Sequence, residues 1–158
     1  MFSIRQAQEN DTSTILQLIL ELAEYERLVH EVVATEDGLR HTLFGPRRYA
    51  EVLLAELENQ AAGYALFFHN FSTFVGGPGI YLEDLYVRPA FRGQGIGKAF
   101  FQHLARLAVE RNCGRLDWAV LNWNEDAIRF YRSLGAVPMS HWTAQRITGD
   151  ILKRLAGS

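Results

Sequence analysis

The residues with the most chemical content are Arg92-Gly93-Gln94-Gly95-Ile96-Gly97-Lys98. They follow an apolar run, Ile80 to Val87, and open an amphipathic run from Ile96 to Arg111, so they read as the turn between a strand and a helix. Three glycines let the backbone approach a ligand with no Cβ in the way. The first N–H groups of the following helix have no partner inside it, and the helix dipole adds partial positive charge there. The chemistry this predicts is binding of a phosphate-sized anion. Spacing removes two phosphate loops. A triphosphate P-loop requires G-x-x-x-x-G-K-[ST]. Counting back from Gly97-Lys98, Arg92 stands at its first glycine and Ala99 at its Ser/Thr position. A dinucleotide fingerprint, G-x-G-x-x-G, begins at Gly93 and Gly95 but meets Lys98 at its last glycine; started at Gly95, it meets Phe100.

The elements that must hold this turn follow from periodicity. Phe2 to Ala7 reads as a strand. Asp11 or Thr12 can cap a helix with the stripe Ile15, Leu18, Ile19 and Leu22, running to about Leu28. Thr35 can cap a second helix, Glu36 to Leu43, stopped at Gly45-Pro46. Tyr49 to Glu56 and Gly63 to His69 read as strands of a hairpin joined by Asn59-Gln60-Ala61-Ala62. Ser72 to Gly79 reads as a loop before the strand Ile80 to Val87. The helix after the glycine turn carries Ile96, Phe100, Leu104, Leu107 and Ala108 on one face, with Gly114 marking its end. Leu116 to Leu121 reads as a strand, and Asn124 can cap a helix from Glu125 to Leu134 that stops at Gly135. One or two strands are expected between Val137 and Ile147, then a helical turn near Asp150 to Leu155. This order predicts an α/β fold with a mixed, partly antiparallel and partly parallel central sheet flanked by helices.

Composition bounds the rest. A chain of 158 residues, 48% apolar and 12% aromatic, is expected to form a single domain, 1–158, with a substantial core. A net charge of −2 with no long basic run argues against nucleic acid as a partner. The single cysteine, Cys113, allows no intrachain disulfide and gives no reason to invoke an oxidising compartment. There is no signal-peptide h-region at Met1-Phe2-Ser3-Ile4-Arg5, and no apolar run approaches the ~20 residues that span a bilayer, so a soluble cytoplasmic protein without membrane attachment is expected. The histidines, His30, His41, His69, His103 and His141, have no metal-ligand spacing, and no metal is expected.

Arg92, Gly95 and Gly97 fit [Arg/Gln]-x-x-Gly-x-[Gly/Ala], which resembles the acetyl-CoA pyrophosphate loop of the GNAT family of N-acetyltransferases. The order of elements resembles that acyl-CoA N-acyltransferase fold from end to end. Five segments resemble the diamine (spermidine/spermine) N-acetyltransferase subfamily, above all its thialysine-acetylating branch. They are Glu21 to Glu26, Phe71 to Gly76, Tyr81 to Val87, Trp118 to Asn124 and Phe130 to Ala136. The resemblance implies an acetyl-CoA-dependent transferase that moves an acetyl group directly to the primary amine of a small molecule. It also implies a homodimer with chain ends contributing to the partner.

An alkyl ammonium, with a pKa near ~10, attacks a thioester only after losing a proton. The site therefore needs a base, a polarised carbonyl and an acid for the leaving thiolate. Read as bare residues, Glu83 is better explained by a structural ion pair or a sheet-edge charge than by a base, and Tyr131 by helix packing. The resemblance implies that Glu83 helps to bind and deprotonate the amine and that Tyr131 is the acid. It implies that Gly93, Gln94, Gly95, Ile96, Gly97 and Lys98 face the pyrophosphate, with Arg92 adding charge. The resemblance also implies that Leu85, Tyr86 and Val87 offer backbone groups to the pantetheine arm and that Asn124, Ala127 and Tyr131 complete the donor side. Tyr25, Glu26, Asp84, Asp117 and Trp118 match substrate-side positions. Adjacent residues on a regular strand face opposite ways, so Glu83 and Asp84 can serve one cleft only if the strand is bulged or splayed. One departure matters: the polyamine branch has an acid in the loop before this strand, whereas Phe71-Ser72-Thr73-Phe74 has none. That favours a shorter amine, such as thialysine or a related amino acid, over spermine or spermidine. A protein or peptide acetyltransferase and a non-catalytic CoA-binding module are the alternatives.

Overall fold

The computed structural model describes residues 1–157. They pack as two compact units, residues 1–121 and 122–157 of the described chain. In the first unit, five strands form one sheet in the order β1-β2-β3-β4-β5: Phe2–Gln6, Glu51–Leu57, Gln60–Ser72, Gly77–Val87 and Leu116–Trp118. The first three pairings are antiparallel, and β4 with β5 is parallel, giving the expected mixed sheet.

Helices α1 (Thr12–Tyr25) and α2 (Glu36–Phe44) pack on one face. There Ile15, Leu18, Leu22 and Leu43 meet Val52, Leu54, Tyr64 and Tyr86. Ile15 and Leu18 are fully buried, each contributing about 1.5–3 kcal/mol by leaving water. Strand alternation sends Leu53, Ala65, Phe67, Ile80 and Leu82 to the other face, where α3 (Ile96–Glu110) buries Ile96, Phe100, Phe101, Leu104 and Ala108. Phe101, absent from the predicted stripe, widens it.

Element ends differ from the periodicity reading for local reasons. Helix α1 stops at Tyr25 rather than near Leu28, because Arg27 turns left-handed with φ of 62°. The N–H of Arg27 then donates to Glu24 O and that of Leu28 to Ala23 O, a Schellman closure. Asn112, with φ of 56°, ends α3 in the same way, ahead of Gly114. The β2–β3 connection is a two-residue turn, with Glu58 and Asn59 at φ of 53° and 63°, so β3 starts at Gln60 and absorbs the predicted linker. Thr35 caps α2 as expected, its hydroxyl accepting from the Gly38 N–H at 3.1 Å.

The second unit contains α4 (Glu125–Ser133) and α5 (Gly149–Leu155). Asn124 Oδ1 accepts from the Ala127 N–H at 3.3 Å, and Gly135, at φ of 92°, closes α4. The strands expected between Val137 and Ile147 do not form among the described residues. Val137, Met139, Trp142 and Ile147 are exposed, and a strand without a hydrogen-bonded neighbour is not stable. Strand β5 is also shorter than expected, ending at Trp118 rather than Leu121, because its pairing with β4 covers only Ile80, Tyr81 and Leu82.

Where β3 passes β4 near its end, Gly63 is required by close approach: a Cβ there would lie 2.3 Å from the Tyr86 carbonyl oxygen. Gly63→Ala should destabilise the fold by about 1–3 kcal/mol, read as a lower urea midpoint at unchanged slope.

Candidate active site

The site is built on an irregularity in β4. Leu82 is in register with Phe67 and Asp84 with Leu66, so Glu83 is an extra residue that the β3 register passes over. A β-bulge of this kind resets side-chain alternation. Ile80 and Leu82 face α3, yet Tyr86 lies in the α1 core. In a regular strand, residues 80, 82, 84 and 86 would all share one face, and the Asp84 carboxyl would point into the α3 core. The bulge turns Asp84 to the α1 side and brings Glu83 beside it. The condition for both acids to serve one cleft is met.

The third member is Glu26, the residue that caps α1 at its C-terminus. Burial, followed by repulsion from Asp84 and Glu83, raises its pKa above the ordinary carboxylate range. Asp84 is raised as well, by burial, and this is partly offset by a hydrogen bond of 2.7 Å that the Tyr64 hydroxyl donates to its Oδ2. Tyr64 is fully buried, and its own pKa is pushed up by burial and by the same acids. Glu83 itself is exposed. Tyr81 feels both Glu83 and Asp117, and Asp117 is its register partner on β5. Glu26, Asp84 and Glu83 thus lie close enough for their charges to act on one another, and Glu83 and Asp117 both act on Tyr81. Trp118 differs from its expected placement. It neighbours Leu82, its ring packs on Phe101 of α3 at 4.8 Å, and it belongs to the opposite face of the sheet from the acids.

The donor side follows from where β4 loses β5. Among the described residues, the parallel ladder ends at Leu82, so Leu85, Tyr86 and Val87 have no strand paired on that edge. The glycine turn comes next. Gly93 and Gly95 have φ of 79° and 84°, a region costing other residues roughly 1–2 kcal/mol. Gly95 is also the N-cap of α3 and has no side chain to satisfy the helix's first N–H groups. Ile96, Gly97 and Lys98 are the first residues of α3, and Gln94 lies in the turn between the two glycines. The Arg92 side chain behaves differently from the expectation that it adds charge. It folds back so that Nε donates to Val87 O at 2.8 Å and the guanidinium stacks 5.2 Å from the Tyr25 ring and 5.8 Å from that of Tyr86.

Three residues at the site were not singled out from sequence. Arg88 forms a two-pronged pair with Glu21 at 3.0 and 2.8 Å and donates to Ala61 O at 2.9 Å. Its backbone N–H donates to Ala62 O, where a second bulge interrupts β3. These bonds tie α1, the start of β3 and the exit of β4 together just before the glycine turn. Glu21 lies three residues after Leu18 on the apolar stripe, and a charge in such a position is a readable sign of a buried partner. Tyr64, in a strand full of aromatics, gave no such sign.

In the second unit, Tyr131 lies on α4, half-buried, with its ring 5.6 Å from that of Phe130. Asn124 and Ala127 are joined by the cap bond already described.

The raised pKa values of Asp84 and Glu26 carry a cost. A carboxyl whose pKa is higher folded than unfolded stabilises the fold below its unfolded value, and that gain is lost as pH rises through the folded value. At pH 7 both acids are therefore held in the fold at an electrostatic disadvantage. Asp84→Asn, which keeps an acceptor for Tyr64, should raise the urea midpoint at pH 7. The advantage should shrink as pH falls through the raised pKa of the wild-type carboxyl, where that carboxyl takes up its proton.

Among the described residues, no His, Cys, Asp and Glu side chains group as a metal site, and no helix is long and apolar enough to cross a membrane. Residues 14–136 match the acetyltransferase (GNAT) family. The chain is 41% identical to a thialysine N-epsilon-acetyltransferase of Bos taurus, with 98% of this chain and 96% of that protein covered. It is 32% identical to an L-ornithine N5-acetyltransferase of Arabidopsis thaliana, over 98% of this chain and 88% of that one. An integron cassette protein structure from V. cholerae superposes with a TM-score of 0.84 at 28% identity, covering 99% of this chain and 98% of its own. A glycine turn at a helix start, an unpaired strand edge beside it and a cluster of acids across a bulge are thus set in a fold shared with such proteins: the chain belongs to the GNAT acetyltransferase family, and it is an N-acetyltransferase.

Proposed function

We propose that this enzyme acetylates the side-chain amine of a small amino acid of the thialysine or ornithine type, using acetyl-CoA as donor. The observation that carries the acceptor assignment is the convergence of Glu26, Glu83 and Asp84, in which Asp84 and Glu83 add to the burial that disfavours the Glu26 charge. The names of the relatives point to the same class of amine. The absence of an acid in Phe71 to Phe74 supports a short acceptor over a long polycation.

The residues present fit acetyl-CoA. Gly93 and Gly95 hold the left-handed conformations that bring N–H groups of the turn and of α3 to one place, and the Leu85 to Val87 edge offers unpaired backbone groups. When bound, acetyl-CoA supplies the acetyl group as an activated thioester. Asp84 and Glu26 hold the acceptor ammonium. Glu83, at the exposed apex of the bulge, takes the ammonium proton, so that the nitrogen lone pair becomes available. Tyr131 Oη supplies a proton to the departing sulfur, the role the family resemblance gives it, and Asn124 and Ala127 complete the donor side. Asp117 adds negative potential at the acceptor side through Tyr81.

The exposed apolar side chains of the second unit, Val137, Met139, Trp142, Ile147 and Leu155, support a homodimer in which this segment meets a second copy. The single reduced cysteine supports a cytoplasmic setting.

Release of free thiol from acetyl-CoA, followed across thialysine, lysine, ornithine, spermidine, putrescine and a lysine peptide, tests this reading. Thialysine or ornithine should give the highest kcat/KM. Best turnover of the peptide would instead make it a protein acetyltransferase, and tight CoA binding without turnover of any amine would remove the enzymatic reading. Tyr131→Phe should lower kcat by about 100-fold while leaving CoA affinity nearly unchanged. A matched loss of both would remove its role as acid.

A further inference from the structure

Tyr64 is a buried phenol that packing alone does not explain. It lies on β3 opposite Tyr86, one alternation before Leu66, the register partner of Asp84. Without the bulge at Glu83, Asp84 would lie on the opposite face of the sheet, and no hydroxyl on this side of β3 could reach it. With the bulge, the two side chains meet on one face at 2.7 Å, and the donor is sealed from solvent. A phenol that is 0% exposed cannot touch the acceptor, so whatever it contributes to acetyl transfer passes through Asp84.

We propose that Tyr64 is the positioning residue of the acceptor site: by donating to Asp84 Oδ2 it fixes that carboxylate as the ammonium anchor and turns Oδ1 toward the amine. The proposal rests on the acceptor reading given above. It also divides labour between the adjacent acids. Asp84, half-buried and already bound on one oxygen, is held in a single orientation and serves as a fixed negative charge. Glu83, exposed on the bulge, is in reach of water to which a proton can pass. A fixed anchor discriminates between amines by length, because the distance from Asp84 to the reacting nitrogen does not adjust to the ligand.

The charges facing Asp84 come from three elements: Tyr64 on β3, Glu83 on β4 and Glu26 at the end of α1. Both glutamates disfavour a further negative charge. The Tyr64 donor is the group that favours the charged form of Asp84, and it acts against burial, which raises the Asp84 pKa. Removing the donor must therefore move that pKa further up. An anchor that binds ammonium only when ionised then fails at a higher pH than in the wild type.

The experiment compares the wild type with Tyr64→Phe, Asp84→Asn and the double variant, with thermal unfolding measured for each. The acceptor is whichever panel amine the wild type turns over fastest. In Tyr64→Phe the KM for the amine should rise roughly ten-fold, with a smaller fall in kcat and no change in the KM for acetyl-CoA. The acidic limb of the kcat/KM profile for the amine should move to higher pH. In the Asp84→Asn background, Tyr64→Phe should add no further rise in KM, because the charge it acts on is gone. If Tyr64→Phe leaves the acidic limb in place, or weakens amine and acetyl-CoA equally in step with a lower Tm, Tyr64 is structural and the proposal fails while the acceptor reading stands. Wild-type turnover of no amine would remove both.

Discussion

The extra residue at Glu83 is the constraint on which the rest of the site depends. A strand that runs between two helical layers must present apolar side chains to both, and simple alternation leaves no room in it for two adjacent acids. One inserted residue changes the parity. Up to Leu82 the even-numbered side chains of the strand face α3; from Asp84 onward they face α1. The same point is where the parallel ladder to β5 ends. A single irregularity therefore brings the acids together and leaves a backbone edge unpaired beside them. Bulged strands twist more strongly, which accounts for both effects at once.

The two halves of the chemistry are joined by cations that belong to neither. Arg88 clamps Glu21 of α1 to the backbone of β3, in a bidentate geometry that holds better than an ordinary surface pair. Arg92 lies between the rings of Tyr25 and Tyr86, at the end of α1 and on β4. The Schellman closure at Arg27 fixes where α1 ends, and with it the place of Glu26. The start of the glycine turn and the acceptor-side end of α1 are thus parts of one packed cluster, and a displacement of either moves the other.

Function also explains where the fold is under electrostatic load. Asp84 and Glu26 are carboxylates in surroundings that disfavour their charge, and Glu83 adds to the repulsion. A core built for stability alone would place a neutral group there. In the proposed acceptor site, a ligand carrying positive charge would relieve the repulsion and turn that load into binding free energy.

Local signals were strong where one residue type has one physical use. The glycine turn, the caps at Thr35 and Asn124, and the stripe of α3 follow from φ preference, side-chain acceptors and a 3.6-residue period, all properties of short segments. Family resemblance extended this to Glu83, Asp84 and Glu26 as candidates. What the sequence could not carry was pairing. Nothing in Tyr81 to Val87 says that Glu83 is skipped by β3, since a bulge is a property of two strands in register. The same holds for Tyr64 meeting Asp84, for Arg88 meeting Glu21, for Arg92 choosing aromatic rings over the turn, and for Trp118 facing α3. The strands expected after Val137 fail for this reason too, because a β-rich run becomes a strand only when another strand accepts its hydrogen bonds. The sequence by itself determined the helices, the order of the elements and the glycine turn, since those depend on neighbours along the chain. The tertiary structure alone decided which acids lie together and that the Tyr64 phenol holds Asp84, since those depend on residues far apart in the chain arriving at one place.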